Sequence, residues 1–366
     1  MSDQKQEARL PVCIITGFLG SGKTTFLNRV LTDPALARSL VVINEFGEMG
    51  LDHLLVTSPV ENMLVLENGC LCCSNRGDLV ETLTDAHAQW QAGVVPPFDR
   101  VIVETSGLAD PVSIMQTVIG DEKLAPFFLL DRVIALVDSM NGEAQLGHFS
   151  ESEKQVVIAD HLILSKTDLV SRPVVDSLRE RLVVLNAGAE ILEAVRGETD
   201  MSQLFGSTAG GRNLRNVSRW LGPAVTLRRG ALPSGSPAAV DHTSGVSTFS
   251  LYHDQPVRWP GLQLWLELLS RFKGIDLLRI KGLLNVEGKP VVIHAVQTIV
   301  HEPVVLESWP DADRRSRLVF IVRNISRAEI EKTLDAFSYE GAPTTQGATI
   351  DPEAYASFVR QAGLFR

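Results

Sequence analysis

Val12-Cys13-Ile14-Ile15-Thr16 runs directly into Gly17-Phe18-Leu19-Gly20-Ser21-Gly22-Lys23-Thr24, and Thr25 to Leu31 follows with a helical pattern. A strand, a glycine-rich turn and a helix in this order are the context that the G-x-x-x-x-G-K-[ST] motif requires. Glycines let backbone N–H groups turn inward around phosphate oxygens, and the helix N-terminus adds a partial positive charge. Lys23 is expected to reach the outer phosphates, and the Thr24 hydroxyl to ligate Mg²⁺.

Around that stretch, short apolar runs recur with longer helical segments between them. Val12 to Thr16, Leu40 to Asn44, Asn62 to Leu66, Val101 to Glu104, Val133 to Asp138 and Leu162 to Ser165 read as buried strands, and Leu182 to Leu185 as a candidate seventh. The fold class is therefore α/β, a mostly parallel sheet covered on both faces. Composition shifts at Gly206: up to Thr243 the chain is rich in Gly, Ser, Pro and Ala, which reads as a flexible connection. From Val246 strands and helices alternate in a smaller α+β pattern: strands at Val246 to Tyr252, Leu277 to Leu284, Val291 to Thr298, Val304 to Leu306 and Leu318 to Val322, helices at Gly261 to Phe272 and Arg327 to Phe337. The expected organisation is a nucleotide-binding domain over 1–205, a linker over 206–243 and a C-terminal domain over 244–366.

Three further stretches carry chemistry. Val101-Ile102-Val103-Glu104-Thr105-Ser106-Gly107 ends a strand in a carboxylate suited to the Mg²⁺ shell, and Gly107 offers a backbone N–H to the γ-phosphate. Ser165-Lys166-Thr167-Asp168 follows a late strand. A carboxylate at Asp168 accepts from guanine N1–H and N2–H₂, a donor pair adenine lacks, and the Lys166 stem can lie over the base. Ser165 stands where Asn is usual in that element. Asn68-Gly69-Cys70-Leu71-Cys72-Cys73 gathers three of the four cysteines. Thiols this close can chelate a soft or borderline cation, with Glu45, His53 or a partner's side chain as a fourth ligand. A redox thiol pair and plain buried cysteines are the alternatives.

Together these stretches resemble the CobW-like family of P-loop GTPases, which includes nitrile hydratase activators and zinc-trafficking proteins. The pieces are ITGFLGSGKTT, VINEFGEMGLD, LENGCLCC, VIVETSGLADP, ALVD and SKTD, with DLLRIKGLLN and RRSRLVFIVRN in the C-terminal part. The resemblance implies slow GTP hydrolysis and a metal site in the switch region, zinc first and cobalt second. It also implies delivery of that metal to a client protein. On this sequence it places Gly17, Gly20, Gly22, Lys23, Thr24 and Thr25 on phosphate and Mg²⁺. Glu104 becomes the strand-end acid, Lys166 and Asp168 the base readers, and Cys70, Cys72 and Cys73 the metal ligands. Asn44, Glu45, Phe46 and Gly47 fall in the first switch.

Composition narrows the rest. A formal charge of −10 argues against broad nucleic-acid binding, which needs a basic face. No run of roughly eighteen apolar residues suggests a membrane span, and the polar start MSDQKQEARL lacks a secretory core, so a cytoplasmic address is expected. Assembly with a second copy is left open. So are two other classes: a small-molecule kinase on the same loop, which SKTD argues against, and a binding module with a purely structural zinc, which predicts a closed four-ligand site.

Overall fold

The structure is a computed structural model, and it describes residues 9–43, 63–65, 76–205, 245–273, 276–301 and 303–340. The chain divides into two compact units, Met1–Gly222 and Pro223–Arg366. Residues 206–243, expected as a linker, lie outside the described residues.

In the first unit seven strands form one parallel sheet. They are β1 (Leu10–Gly17), β2 (Ser39–Ile43), β3 (Met63–Val65), β4 (Arg100–Glu104), β5 (Phe128–Asp138), β6 (His161–Ser165) and β7 (Glu190–Ala194), in the order β3-β2-β4-β1-β5-β6-β7. Alternation along the strands loads both faces. Ile15, Ile134, Leu136 and Ile163 pack beneath α1 (Lys23–Leu31), and Ala135, Val137, Leu162 and Leu164 pack against the opposite layer. That layer includes α5 (Ser150–Ile158) and α6 (Arg172–Leu185), while α2 (Arg76–Gln91), α3 (Pro111–Gly120) and α4 (Gly142–His148) complete the crossovers of this region and the short α7 (Met201–Phe205) follows β7. Because every strand is parallel, the segments that follow β1, β2, β4, β5 and β6 all leave from one edge of the sheet. That edge is where ligands bind in open α/β folds.

One expected strand is not one. Leu182 to Leu185 is the last turn of α6, and the seventh strand is Glu190–Ala194. The helical period wins: Val175, Leu178, Leu182 and Leu185 are buried at spacings of three and four, and Pro173 stands in the first turn, where it fits a helix start. The apolar run Leu182-Val183-Val184-Leu185 imitates a buried strand only when read apart from the turns before it.

Cys13 lies in β1, 4% exposed, and burial pushes its thiol far above the ordinary value. It is a core residue.

The second unit is an antiparallel sheet backed by helices. Its strands are β8 (Val246–His253), β9 (Arg279–Val286), β10 (Lys289–Val296), β11 (Ile299–Val300), β12 (Val304–Val305) and β13 (Ser316–Arg323), in the order β11-β10-β9-β13-β8, with β12 paired to β10. The expected α+β pattern is correct, with the pair Ile299–Val300 added. On one face Leu251, Ile280, Leu284, Ile293, Leu318 and Phe320 pack with Leu262, Trp265 and Leu269 of α8 (Trp259–Lys273) and Ile330 of α9 (Arg327–Thr333). Ser326 and Glu329 form a reciprocal cap at the start of α9. At the start of β13, Arg317 is buried and pairs with Asp311 at 2.8 Å.

Candidate nucleotide site

The phosphate loop spans the gap between β1 and α1. Gly17 has φ 143, and a Cβ there would stand 2.5 Å from the Leu136 carbonyl oxygen and 2.7 Å from Ser21 Oγ. Gly20 (φ 71) and Gly22 (φ 89) also take left-handed backbone. Gly22 is the N-cap of α1 and its carbonyl accepts from Phe26 N–H at 2.9 Å, so the helix opens directly off the loop. The Lys23 ammonium is held at the loop mouth by the carbonyls of Gly17 (2.9 Å) and Phe18 (3.2 Å). Thr24 is half-buried and Thr25 exposed on the first turn. Ser21 is fully buried, and its Oγ has no hydrogen-bond partner among the described residues. A curled loop with an open helix end, a lysine over it and an orphaned hydroxyl inside fits a polyphosphate.

The acid at the end of β4 stands one strand away. Glu104 is 6% exposed and pairs in register with Ile15 of β1 and Ile43 of β2. Thr105 fixes the exit: its N–H donates to the Ile15 carbonyl at 2.9 Å and its hydroxyl to Thr16 Oγ1 at 2.8 Å. Two residues on, Gly107 lies against the phosphate loop. A Cβ on it would meet Leu19 N at 2.7 Å and Leu19 Cα at 2.9 Å. Only glycine allows that approach. From α5, Gln155 donates its side-chain amide to the carbonyls of Gly107 (3.1 Å) and Ala109 (3.2 Å), clamping the turn from outside. The sequence gives no sign of Gln155, because its partners are nearly fifty residues upstream.

The stretch expected to read the base follows β6. Ser165 closes the strand, and its hydroxyl lies 2.7 Å from the Ser21 carbonyl and 3.3 Å from that of Val137. Serine thus supplies the loop brace at the position where Asn is usual. Lys166 takes left-handed backbone, φ 58, and its ammonium donates to Asp138 Oδ2 at 2.8 Å. A short 3₁₀ turn covers Thr167–Leu169, and Asp168 on it is exposed. Asp138, the last residue of β5, is 1% exposed. The expected phosphate, acid and base residues therefore gather at one edge of one sheet.

Cys70, Cys72 and Cys73 lie outside the described residues, as do Asn44, Glu45, Phe46, Gly47 and His53. Among the described residues no three His, Cys, Asp or Glu side chains gather as a metal-holding group. β3 is parallel to β2, so Val65 ends at the same edge as the phosphate loop, five residues before Cys70.

A parallel seven-stranded sheet with this loop, acid and base element defines a P-loop nucleotide-binding protein. The chain belongs to the CobW family: residues 11–193 match the CobW/HypB/UreG nucleotide-binding domain and residues 246–338 the cobalamin synthesis protein CobW C-terminal domain. It is similar to the zinc chaperone YjiA of Escherichia coli, 32% identical over 88% of this chain and 96% of that one. It is also similar to the zinc chaperone CobW of Pseudomonas aeruginosa, 29% identical over 90% and 92% of the two chains. A zinc-regulated GTPase metalloprotein activator of Schizosaccharomyces pombe is 31% identical over 58% of this chain and 52% of its own. Among solved structures, the Zn(II)-bound YjiA GTPase from E. coli superposes with a TM-score of 0.66 at 30% identity, covering 90% of this chain and 99% of that one.

Proposed function

We propose that this P-loop GTPase is a zinc metallochaperone: it binds the metal through Cys70, Cys72 and Cys73, and GTP governs when the metal is passed to a client protein. The observation that carries the reading is the assembly of phosphate loop, acid and base element at the edge where Val65 of β3 also ends, five residues before Cys70 in the sequence. Two relatives over nearly the whole chain are named zinc chaperones, and one over 58% of it is named a zinc-regulated GTPase metalloprotein activator; these support zinc as the cargo.

In this mechanism Gly17, Gly20, Ser21, Gly22, Lys23, Thr24 and Thr25 hold the phosphates. Thr24 and Glu104 would hold a Mg²⁺, and that ion would supply charge neutralisation for phosphoryl transfer. The Gly107 N–H reads the γ-phosphate, and contact with Leu19 joins that reading to the phosphate loop. Asp168 and Lys166 select guanine. Glu104 stands in register with Ile43 at the end of β2 and three residues before Gly107, so the γ-phosphate orders the turn at Gly107 while it is present, and Asn44 to Gly47 with it. β3 is three strands from β1, roughly 14 Å at ordinary strand spacing. The cysteines therefore sense the nucleotide through the segment between β2 and β3, and hydrolysis loosens their geometry when a client docks. A partner or a second copy that completes the site would accelerate a slow intrinsic turnover.

Zinc titrations of the apo, GDP and GTP-analogue states test this. Linkage requires that whatever factor GTP adds to zinc affinity, zinc adds to GTP affinity. A typical coupling of about 1–3 kcal/mol is roughly 5–150-fold. Cys70→Ser, Cys72→Ser and Cys73→Ser should each lower the coupling and leave metal-free GTP binding nearly unchanged. Equal zinc affinity in all three states removes the switch. Loss of the fold and of GTP binding in each variant would favour a structural zinc instead. A Zn(II)-bound YjiA variant lacking one glutamate and two cysteines is among the similar structures, so stoichiometry has to be counted alongside affinity.

A further inference from the structure

The base-reading stretch is held by a residue outside its own motif. Asp138 ends β5, and its neighbour in register on β6 is Ser165. Its carboxylate accepts three hydrogen bonds: Oδ1 from Met140 N–H at 2.9 Å, and Oδ2 from the Asn141 amide at 2.9 Å and the Lys166 ammonium at 2.8 Å. Burial raises its pKa, but the bonds from Lys166, Asn141 and Met140 outweigh burial and hold it below the ordinary carboxylate value, so the group is ionised at neutral pH. Lys166 carries left-handed backbone, which disfavours any residue with a Cβ, so its place is imposed by its neighbours. The Ser139 N–H donates to the Ser165 carbonyl at 3.0 Å, which joins the two strand ends a second time.

We infer that Asp138 is a positioning residue for the nucleotide base: it fixes the Lys166 side chain so that the stem presents one pre-set flank to the guanine that Asp168 reads. This rests on the reading of Lys166 and Asp168 as base readers. Stability alone is a poor reason for the pair. A buried ion pair is weak evidence of stability, because desolvation offsets most of the attraction. The geometry suits recognition better. The carboxylate is sealed at 1% exposure, while the Lys166 side chain keeps 33% of its surface open at the edge where Asp168 is exposed. A free lysine would have to lose its rotamer freedom when the base arrives; here Asp138 has already removed it. The same carboxylate holds Asn141 at the start of α4, and Gln145 on that helix reaches the Leu19 carbonyl at 3.5 Å, so the anchor stands between base loop and phosphate loop.

A double-mutant cycle in the full chain tests it, with GDP affinity, GTP-over-ATP preference and thermal stability measured for Asp138→Asn, Lys166→Met and the pair. Asp138→Asn should weaken GDP binding about tenfold, which is about 1.4 kcal/mol, and narrow the preference for GTP. The double variant should bind GDP no more weakly than Lys166→Met alone, because Asp138 acts through that side chain. Losses that add, or a lowered melting temperature with unchanged GDP affinity, overturn the inference and leave the base readers standing. Unchanged GDP affinity in Lys166→Met overturns the base-reader assignment itself and the inference with it. Should Asp138→Asn not fold, Asp138→Ser keeps an oxygen near the Met140 N–H and runs the same cycle.

Discussion

The Ser165 hydroxyl lies 2.7 Å from the carbonyl of Ser21, joining the loop proposed to read the base to the loop proposed to hold the phosphates. Both partners are buried, so the bond is not exchanged for water at each opening. Ser165→Ala removes the donor and leaves the Ser21 carbonyl without it. The expected cost is about 0.5–1.5 kcal/mol, seen as a severalfold faster GDP dissociation in stopped flow. Unchanged dissociation would mean that the β-sheet alone holds the two loops in register.

Asp168→Asn should cost GTP about 1.5–3 kcal/mol of binding, because a neutral amide no longer accepts both guanine donors. Affinity for ATP should stay where it was. Isothermal titration of both nucleotides decides it, and equal GTP and ATP affinity in the unaltered chain would sink the guanine assignment.

Gly17 and Gly20 separate close approach from mere backbone strain. Gly17→Ala places a methyl 2.5 Å from the Leu136 carbonyl oxygen, so β5 or the loop must shift at about 1–3 kcal/mol. Nucleotide binding should be lost with it. At Gly20 a methyl would meet nothing within 4 Å, so the strain of left-handed backbone, about 1–2 kcal/mol, acts alone. Melting temperatures and GDP affinity of the two variants should rank accordingly. A reversed order would contradict the loop geometry.

The second unit should show an acid dependence at Asp313. Hydrogen bonds from Arg315, at 3.0 Å to Oδ1 and 2.9 Å to Oδ2, hold this carboxyl at about 2. Its folded value lies below the unfolded one of about 3.9. Its contribution is therefore complete above that unfolded value and is lost as pH falls through about 2. Arg315 is half exposed, so solvent screening keeps the effect modest. Asp313→Asn should lower thermal stability at neutral pH, and the gap to the unaltered chain should close as acid is added. Hydrogen exchange of β13 in the full chain reports on this unit, and a gap independent of pH would show that the loss is not electrostatic.

The parts of this protein that are legible in its sequence are local ones. Val12 to Thr24 carries strand, turn and helix start within thirteen residues, and the glycines say where the chain must turn. Ser165 to Asp168 is equally compact. Contacts that join distant segments leave no such trace. Ser165 and Ser21 are 144 residues apart, Lys166 and Asp138 are 28 apart, and Gln155 is 48 from Gly107. Each is a common residue whose role appears only when parallel strands bring their ends to one edge. The strand expected at Leu182 to Leu185 failed for a related reason. Four apolar residues satisfy either period, and the decision belongs to Val175 and Leu178 upstream.

Cys13 has a use for the experimentalist. The chain contains four cysteines, and this one is sealed in β1 with its thiol kept protonated by burial. In the native protein an alkylating reagent that attacks thiolates will pass it by. Any fast-labelling sulfur belongs to Cys70, Cys72 or Cys73, so mass spectrometry of the intact, briefly alkylated chain counts that cluster against a silent background. Protection of labels by zinc, nucleotide state by nucleotide state, then reads out cargo occupancy without a single cysteine having to be removed.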